Sequence, residues 1–218
     1  MTSHDLAAVL FDMDGTLVDS EKVWSAGLNA LAAHHGRELS EAARLAMVGT
    51  NMADSMRILH DDLGLPWRDT AWSVDWVELR VKELFAEGLP WRPGARELLA
   101  ALRAERVPMA LVTATHRHLV DVAMLSIGAY HFDAVVAGDE VDRTKPHPEP
   151  YLTAASLLGV PIERCVAIED SPNGVTSARA AGCAVLAVPC EIPLSDVDGV
   201  TMVDSLRDVD PPFLRKLL

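Results

Sequence analysis

The apolar residues of this chain follow two periods, and the change between them divides it. Leu6 to Phe11 is a short unbroken apolar run, the pattern of a strand buried on both faces. After Asp19-Ser20-Glu21 the spacing lengthens to that of a helix: Val23, Trp24, Leu28, Leu31 and Ala32 recur on one face, and Gly36 is a stop. Ser40-Glu41 restarts a helix with Leu45 and Val48 apolar, up to Gly49-Thr50-Asn51. A third helix is predicted from about Met52 to Leu63, ended by Gly64-Leu65-Pro66. A fourth, from about Trp67 to Phe85, carries Trp72, Trp76 and Leu79 on one side, and Gly88 closes it. Residues 18–89 hold no strand signal.

Beyond Trp91-Arg92-Pro93-Gly94 the two periods alternate. Helices are predicted over about Ala95–Glu105, Arg117–Ser126, the stretch ending at Leu158, Gly174–Ala181 and near Pro212. Between them lie apolar runs at 109–112, 134–137, 166–168, 185–188 and 200–203. Short strands, apolar throughout and separated by helices, indicate a parallel sheet covered on both faces. The expectation is an α/β protein with a doubly wound parallel sheet, formed by residues 1–17 and 90–218, and an all-helical insertion at 18–89. The tryptophans Trp67, Trp72 and Trp76 are expected in the core of that insertion, and His34, His35 and His60 on its solvent face.

Several strands end in groups that chemistry can use. The first ends in Asp12 and Asp14, then Gly15 and Thr16. The 109–112 run ends in Thr113, the proline-rich loop after 137 contains Lys145, and the 166–168 run ends in Glu169 and Asp170. In open α/β sheets ligands sit outside the carboxyl ends of the strands, so all of these face one edge. Paired acids at the end of a buried strand are costly to desolvate unless a cation or a reaction needs them. Oxygen donors with no paired Cys or His point to Mg2+ rather than zinc.

A carboxylate is already ionised at neutral pH and acts as a nucleophile without a base. It would repel a phosphate dianion, and Mg2+ together with Lys145 relieves that repulsion. One charge pair at about 4 Å is worth roughly 4 kcal/mol at an effective dielectric of about 20.

Composition narrows the partners. The chain of 218 residues is 50% hydrophobic and 23% charged, as globular proteins are, and its net charge is −13. Nucleic-acid backbones and anionic membrane surfaces are therefore excluded as expected partners. Cys165, Cys183 and Cys190 form no Cys-x-x-Cys pair. Met1 to Asp5 shows no signal-peptide pattern, and no apolar run approaches membrane-spanning length. A cytoplasmic protein is expected, a monomer or alternatively a dimer.

The ordered set Asp12-Met13-Asp14-Gly15-Thr16, Thr113 after an apolar strand, Lys145-Pro146, and Glu169-Asp170-Ser171-Pro172-Asn173-Gly174 resembles the four motifs of the haloacid dehalogenase-like superfamily. Nearly the whole chain takes part in the resemblance. It is similar to the magnesium-dependent branch of sugar-phosphate phosphatases and β-phosphoglucomutase, whose core is Rossmann-like. The resemblance implies Asp12 as nucleophile, forming an aspartyl-phosphate, and Asp14 as general acid and base. It implies Mg2+ held by Asp12, the Asp14 carbonyl and Asp170, with Glu169 bound to the metal or beside it, and phosphoryl oxygens held by Thr113 and Lys145. Residues 18–89 would be the cap that closes over the site. Glu21 and Asn51, where the cap should face the site, and Thr115 and His116, beyond the Thr113 strand, are candidates for binding the substrate.

Two features separate hydrolase from mutase within that resemblance. The mutases carry a histidine in the first cap helix where counting from Asp12 reaches Trp24 here. They also hold a distal phosphate with an arginine on a cap loop, and the matching loop, Val48-Gly49-Thr50-Asn51-Met52-Ala53, has no cation. The expected function is hydrolysis of a small phosphomonoester, a sugar or polyol phosphate. A phosphosugar mutase or a non-catalytic phosphate-binding regulator is the alternative.

Overall fold

The computed structural model describes residues 5–48, 50–190, 194 and 199–218. Met1 to His4 of the stretch read for a leader, and Gly49 of the cap loop, lie outside the described residues. The chain opens with β1 (Ala8–Phe11) and then four helices: α1 (Glu21–His34), α2 (Glu41–Met47), α3 (Met52–Asp62) and α4 (Thr70–Ala86). Strands and helices then alternate: α5 (Ala95–Ala104), β2 (Met109–Val112), α6 (Arg117–Ile127), β3 (Ala134–Val136), α7 (Glu149–Leu158), β4 (Cys165–Glu169), α8 (Pro172–Ala181), β5 (Ala184–Ala187), β6 (Thr201–Met202) and α9 (Pro211–Arg215).

All strand pairs are parallel, in the order β3-β2-β1-β4-β5-β6. The chain therefore winds outward from β1 through β2 and β3, then returns to its other side with β4. That reversal leaves a crevice at the carboxyl end of β1, where ligands of such sheets bind. Alternation along the strands feeds two apolar layers. Val9 and Phe11 pack with Leu98 and Leu102 of α5 and Leu119 and Val120 of α6. Ala8 and Leu10 pack with Tyr151 and Ala154 of α7 and Val175 and Ala178 of α8. With both faces covered, the strands tolerate no polar alternation, which is why each reads as a solid apolar run.

The helical block leaves and rejoins the sheet layer at one place. Asp19 N donates to Pro90 O and Arg92 N to Leu17 O, each at 2.8 Å, with an antiparallel bridge between Val18 and Trp91.

Packing inside the block differs from expectation. On α4 the buried stripe is Ser73, Val77, Val81 and Phe85, at helical spacing, with Glu78 beside it. Trp72 and Leu79 are exposed, and so is Trp67 before the helix. Trp72 instead stacks beside His34 and His35 at the surface. The smaller Val–Val–Phe stripe wins because it faces α1. His60, expected at the surface, is buried with its Nε2 2.9 Å from the Ser73 hydroxyl.

Candidate active site

A cavity of about 120 Å3 opens at the carboxyl end of β1, between the sheet and the helical block. Asp12, Asp14, Thr113, Thr115, Lys145 and Asp170 line it from the sheet side, and Glu21, Trp24, Ser25, Arg44, Thr50 and Ser55 from the helical side. The ends of β1, β2 and β4 and the loop after β3 thus deliver the residues singled out in the sequence to one place.

At its floor Lys145 is buried, and its ammonium is fully used. Nζ donates to Asp12 Oδ1 at 2.7 Å, Glu169 Oε1 at 2.6 Å and the Val112 carbonyl at 2.8 Å. Burial would lower the pKa of this lysine, but Asp12 and Glu169 override it and hold the ammonium charged. The same burial pushes the Asp12 carboxyl up to about 7. Lys145 opposes that rise, and Glu169 and Asp14 add to it. Asp170 is raised too, first by burial and then by Asp12, Glu169 and Glu21.

Glu169 belongs to β4 rather than to the loop after it, and this sets its role. In the strand it shares a face with Cys165 and Ala167, toward α7. There its Oε1 also accepts from the Tyr151 hydroxyl. Its carboxylate holds Lys145 from behind, and Gly174 makes room for it, since a Cβ there would stand 1.9 Å from Oε2. Ser171 caps α8, its hydroxyl accepting from Gly174 N at 3.1 Å.

Asp14 is gripped by four donors. Ser20 Oγ (2.6 Å) and Trp24 Nε1 (2.9 Å) donate to Oδ1, and Thr115 Oγ1 (2.7 Å) and Thr113 Oγ1 (3.3 Å) to Oδ2. Two of these come from sheet loops and two from the start of the helical block, so the carboxyl joins both. Gly15, directly after Asp14, adopts φ +77°, and a Cβ there would stand 2.0 Å from Asp170 Oδ2. Only glycine lets the β1 loop pass that close to Asp170.

Oxygens of Asp12, Glu169 and Asp170 lie within 4.8 Å of one another, all three buried. Asp12 Oδ2 has no hydrogen-bond partner among the described residues. Mutually repelling buried acids with an orphaned oxygen fit a hard divalent cation, and the donor set is oxygen only. Asp12 and Asp170 are the residues with oxygens to spare, whereas Glu169 is committed to Lys145 and Tyr151.

Two substrate-binding expectations do not reach the cavity. Asn51 caps α3, accepting from Asp54 N at 2.9 Å and donating to the Asp54 carboxylate at 2.7 Å. His116 turns to Glu78 of α4, 2.8 Å away. Conversely, Arg44 from α2 lines the cavity while its guanidinium pairs with Glu41 at 2.9 Å. The helical side therefore does supply a cation, one helix earlier than the loop in which none was found. Trp24 and Ser20 are partners of Asp14 that the sequence reading does not single out, although they lie only ten and six residues past it.

Comparison with known proteins agrees with this architecture. The haloacid dehalogenase-like hydrolase family matches residues 6–182. The chain is 34% identical to the phosphorylated carbohydrates phosphatase of Thermotoga maritima over 81% of its own length and 82% of that protein. It is 34% identical to hexitol phosphatase A of Escherichia coli over 87% of both chains. A crystal structure of a CbbY mutant from Rhodobacter sphaeroides in complex with xylulose-(1,5)bisphosphate superposes with a TM-score of 0.80. That match has 26% identity and covers 93% of this chain and 96% of that one. The chain belongs to the haloacid dehalogenase-like hydrolases, in their sugar-phosphate phosphatase branch.

Proposed function

We propose that the protein is a Mg2+-dependent phosphomonoester hydrolase that acts on a small sugar or polyol phosphate through an aspartyl-phosphate. The observation that carries this reading is Asp12. It lines the cavity at the sheet's reversal point, one oxygen is held by Lys145, and the other has no partner among the described residues. The phosphatases of phosphorylated carbohydrates and hexitol phosphates among its relatives support the substrate class.

In the proposed reaction Asp12 attacks phosphorus in line with the ester oxygen, and the P–O bond to the alcohol breaks. Asp14 gives that oxygen its proton, then takes one from the water that hydrolyses the aspartyl-phosphate. Thr113 donates to a phosphoryl oxygen, and Lys145, exchanging its bond to Asp12 for one to the phosphoryl group as Asp12 attacks, holds the charge that develops there. Asp12, Asp170 and the Asp14 carbonyl would hold Mg2+, which when bound would supply further charge compensation. Residues 18–89 act as the lid that excludes water, and Glu21, Arg44, Thr50 and Ser55 contact the alcohol portion. Every residue in this scheme sits in a cytoplasmic, reducing setting, in keeping with three free thiols. Among the described residues no helix is long and apolar enough to cross a membrane.

Trp24 favours hydrolysis over phosphate transfer between sugar positions. Its indole occupies the approach to Asp14, where the mutase branch is expected to carry a histidine, and it offers a donor but no base. Arg44 favours the second reading, since a cation on the helical side suits a substrate with a distal anionic group. Product analysis separates the two. With a panel of sugar, polyol and glycolyl phosphates, free phosphate should appear with Mg2+ and not with EDTA. An isomeric sugar phosphate with little free phosphate would replace the reading by the mutase, and no turnover of any panel member would overturn both.

The pH dependence of metal binding follows from Asp12. A carboxyl raised to about 7 stabilises the folded protein in its protonated form, fully below the ordinary value of 3.8 and no longer above about 7. A cation needs the ionised carboxylate and competes with that proton. Mg2+ affinity is therefore expected to fall by up to about tenfold per pH unit below 7. Calorimetric titration at pH 6, 7 and 8 checks this, and equal affinities would contradict it.

A further inference from the structure

We propose that Glu78, His116 and His118 form a second metal site, of the Zn2+ class, that joins the helical block to the sheet core. Glu78 projects from α4, while His116 caps α6 and His118 lies in its first turn. One ligand atom from each falls within 4.8 Å of the others. His116 Nδ1 is 2.8 Å from Glu78 Oε1 and His118 Nε2 is 3.4 Å from Glu78 Oε2. Ligands bound to Zn2+ at 2.0–2.1 Å in a tetrahedron stand about 3.3 Å apart, so these separations need only small adjustment.

Three further observations point to a cation there. Glu78 is buried at 4% exposure beside the stripe of Ser73, Val77, Val81 and Phe85. Among the described residues its Oε1 has no well-aligned hydrogen-bond partner despite the short approach of His116. Asp75 and Asp139 add negative potential around His116. The extended backbone of His116, φ −69° and ψ 148°, turns residues two apart toward the same side, which a continuous helix would not do. Two imidazoles and one carboxylate suit Zn2+ rather than Mg2+. His118 is half exposed, which leaves the outer side of the set open to water as the fourth ligand. None of the three residues lines the catalytic cavity or has a role in the proposed reaction.

The test uses the full chain, stripped with a chelator and held in excess Mg2+ so that the acid cluster around Asp12 is occupied. Zn2+ is titrated against a chromophoric chelator. One tight equivalent is expected, weakened at least tenfold in both His118→Ala and Glu78→Gln and unaltered in Asp170→Asn. His118→Ala changes only a half-exposed side chain, and circular dichroism verifies that each variant is folded. A Zn2+-soaked crystal should show an anomalous peak between the three side chains. Less than tenfold weakening in His118→Ala, or a peak at the acid cluster alone, overturns the site.

Discussion

Asp12→Asn is expected to lower phosphate release by about four to six decades, the scale of losing a nucleophile outright. The fold should survive with little change. The amide is the same size as the carboxylate, and it removes a buried charge that burial, Glu169 and Asp14 already disfavour. The amide oxygen can still accept from Lys145, so the ammonium keeps three acceptors. Activity and stability should thus part company: turnover collapses while the melting temperature stays level or rises. Single-turnover phosphate release alongside thermal melting reads both. Turnover within tenfold of the parent would mean that Asp12 does not attack phosphorus.

Lys145→Met is expected to damage both. The methionine retains the stem's bulk but removes the one cation among Asp12, Glu169 and Asp170. Breaking a buried ion pair by deleting one partner costs about 3–5 kcal/mol, because the charges left behind have no compensation. Here two carboxylates lose the ammonium that pairs with both, at 2.7 and 2.6 Å. Protonation is the only relief open to them, so the deficit should shrink as pH falls from 8 to 6. Urea denaturation at the two pH values measures it, and the double variant Lys145→Met, Glu169→Gln should recover part of the loss. A deficit that does not change with pH would show that lost packing, not stranded charge, is responsible. Phosphate release should fall in the single variant at either pH, since the phosphoryl oxygens lose the ammonium proposed to hold them.

The sheet was legible because its strands are buried on both sides, and an unbroken apolar run such as Met109-Ala110-Leu111-Val112 has few other meanings. The acids and the hydroxyl at those strand ends followed at once, since the topology alone carries Asp12, Thr113 and Asp170 to one edge. Glu169 shows the limit of that reasoning: one extra residue in β4 turned its side chain from the cavity toward Tyr151 and the back of Lys145. Between helices there was no comparable guide. Trp72 and Leu79 looked like the buried face of α4, but Val77, Val81 and Phe85 fit against α1 instead. His60 and His116 find partners on other helices, at Ser73 and Glu78, and Arg44 of α2 reaches the cavity wall. Those partnerships depend on how helices pack across the block and onto the core, and no local spacing encodes them.

The coincident exit and return of the helical block make it an exchangeable module. With Asp19 and Pro90 a single hydrogen bond apart, a different insert of any length can be grafted there while the register of β1, β2 and β4 stays as it is. Such a graft would keep the nucleophile, its lysine and the metal acids, all of which belong to the sheet. It would, however, strip Asp14 of Ser20 and Trp24, half of the donors that orient it. A lineage can therefore trade one substrate for another by replacing a single segment, provided each new segment brings its own pair of donors for the proton-transferring acid.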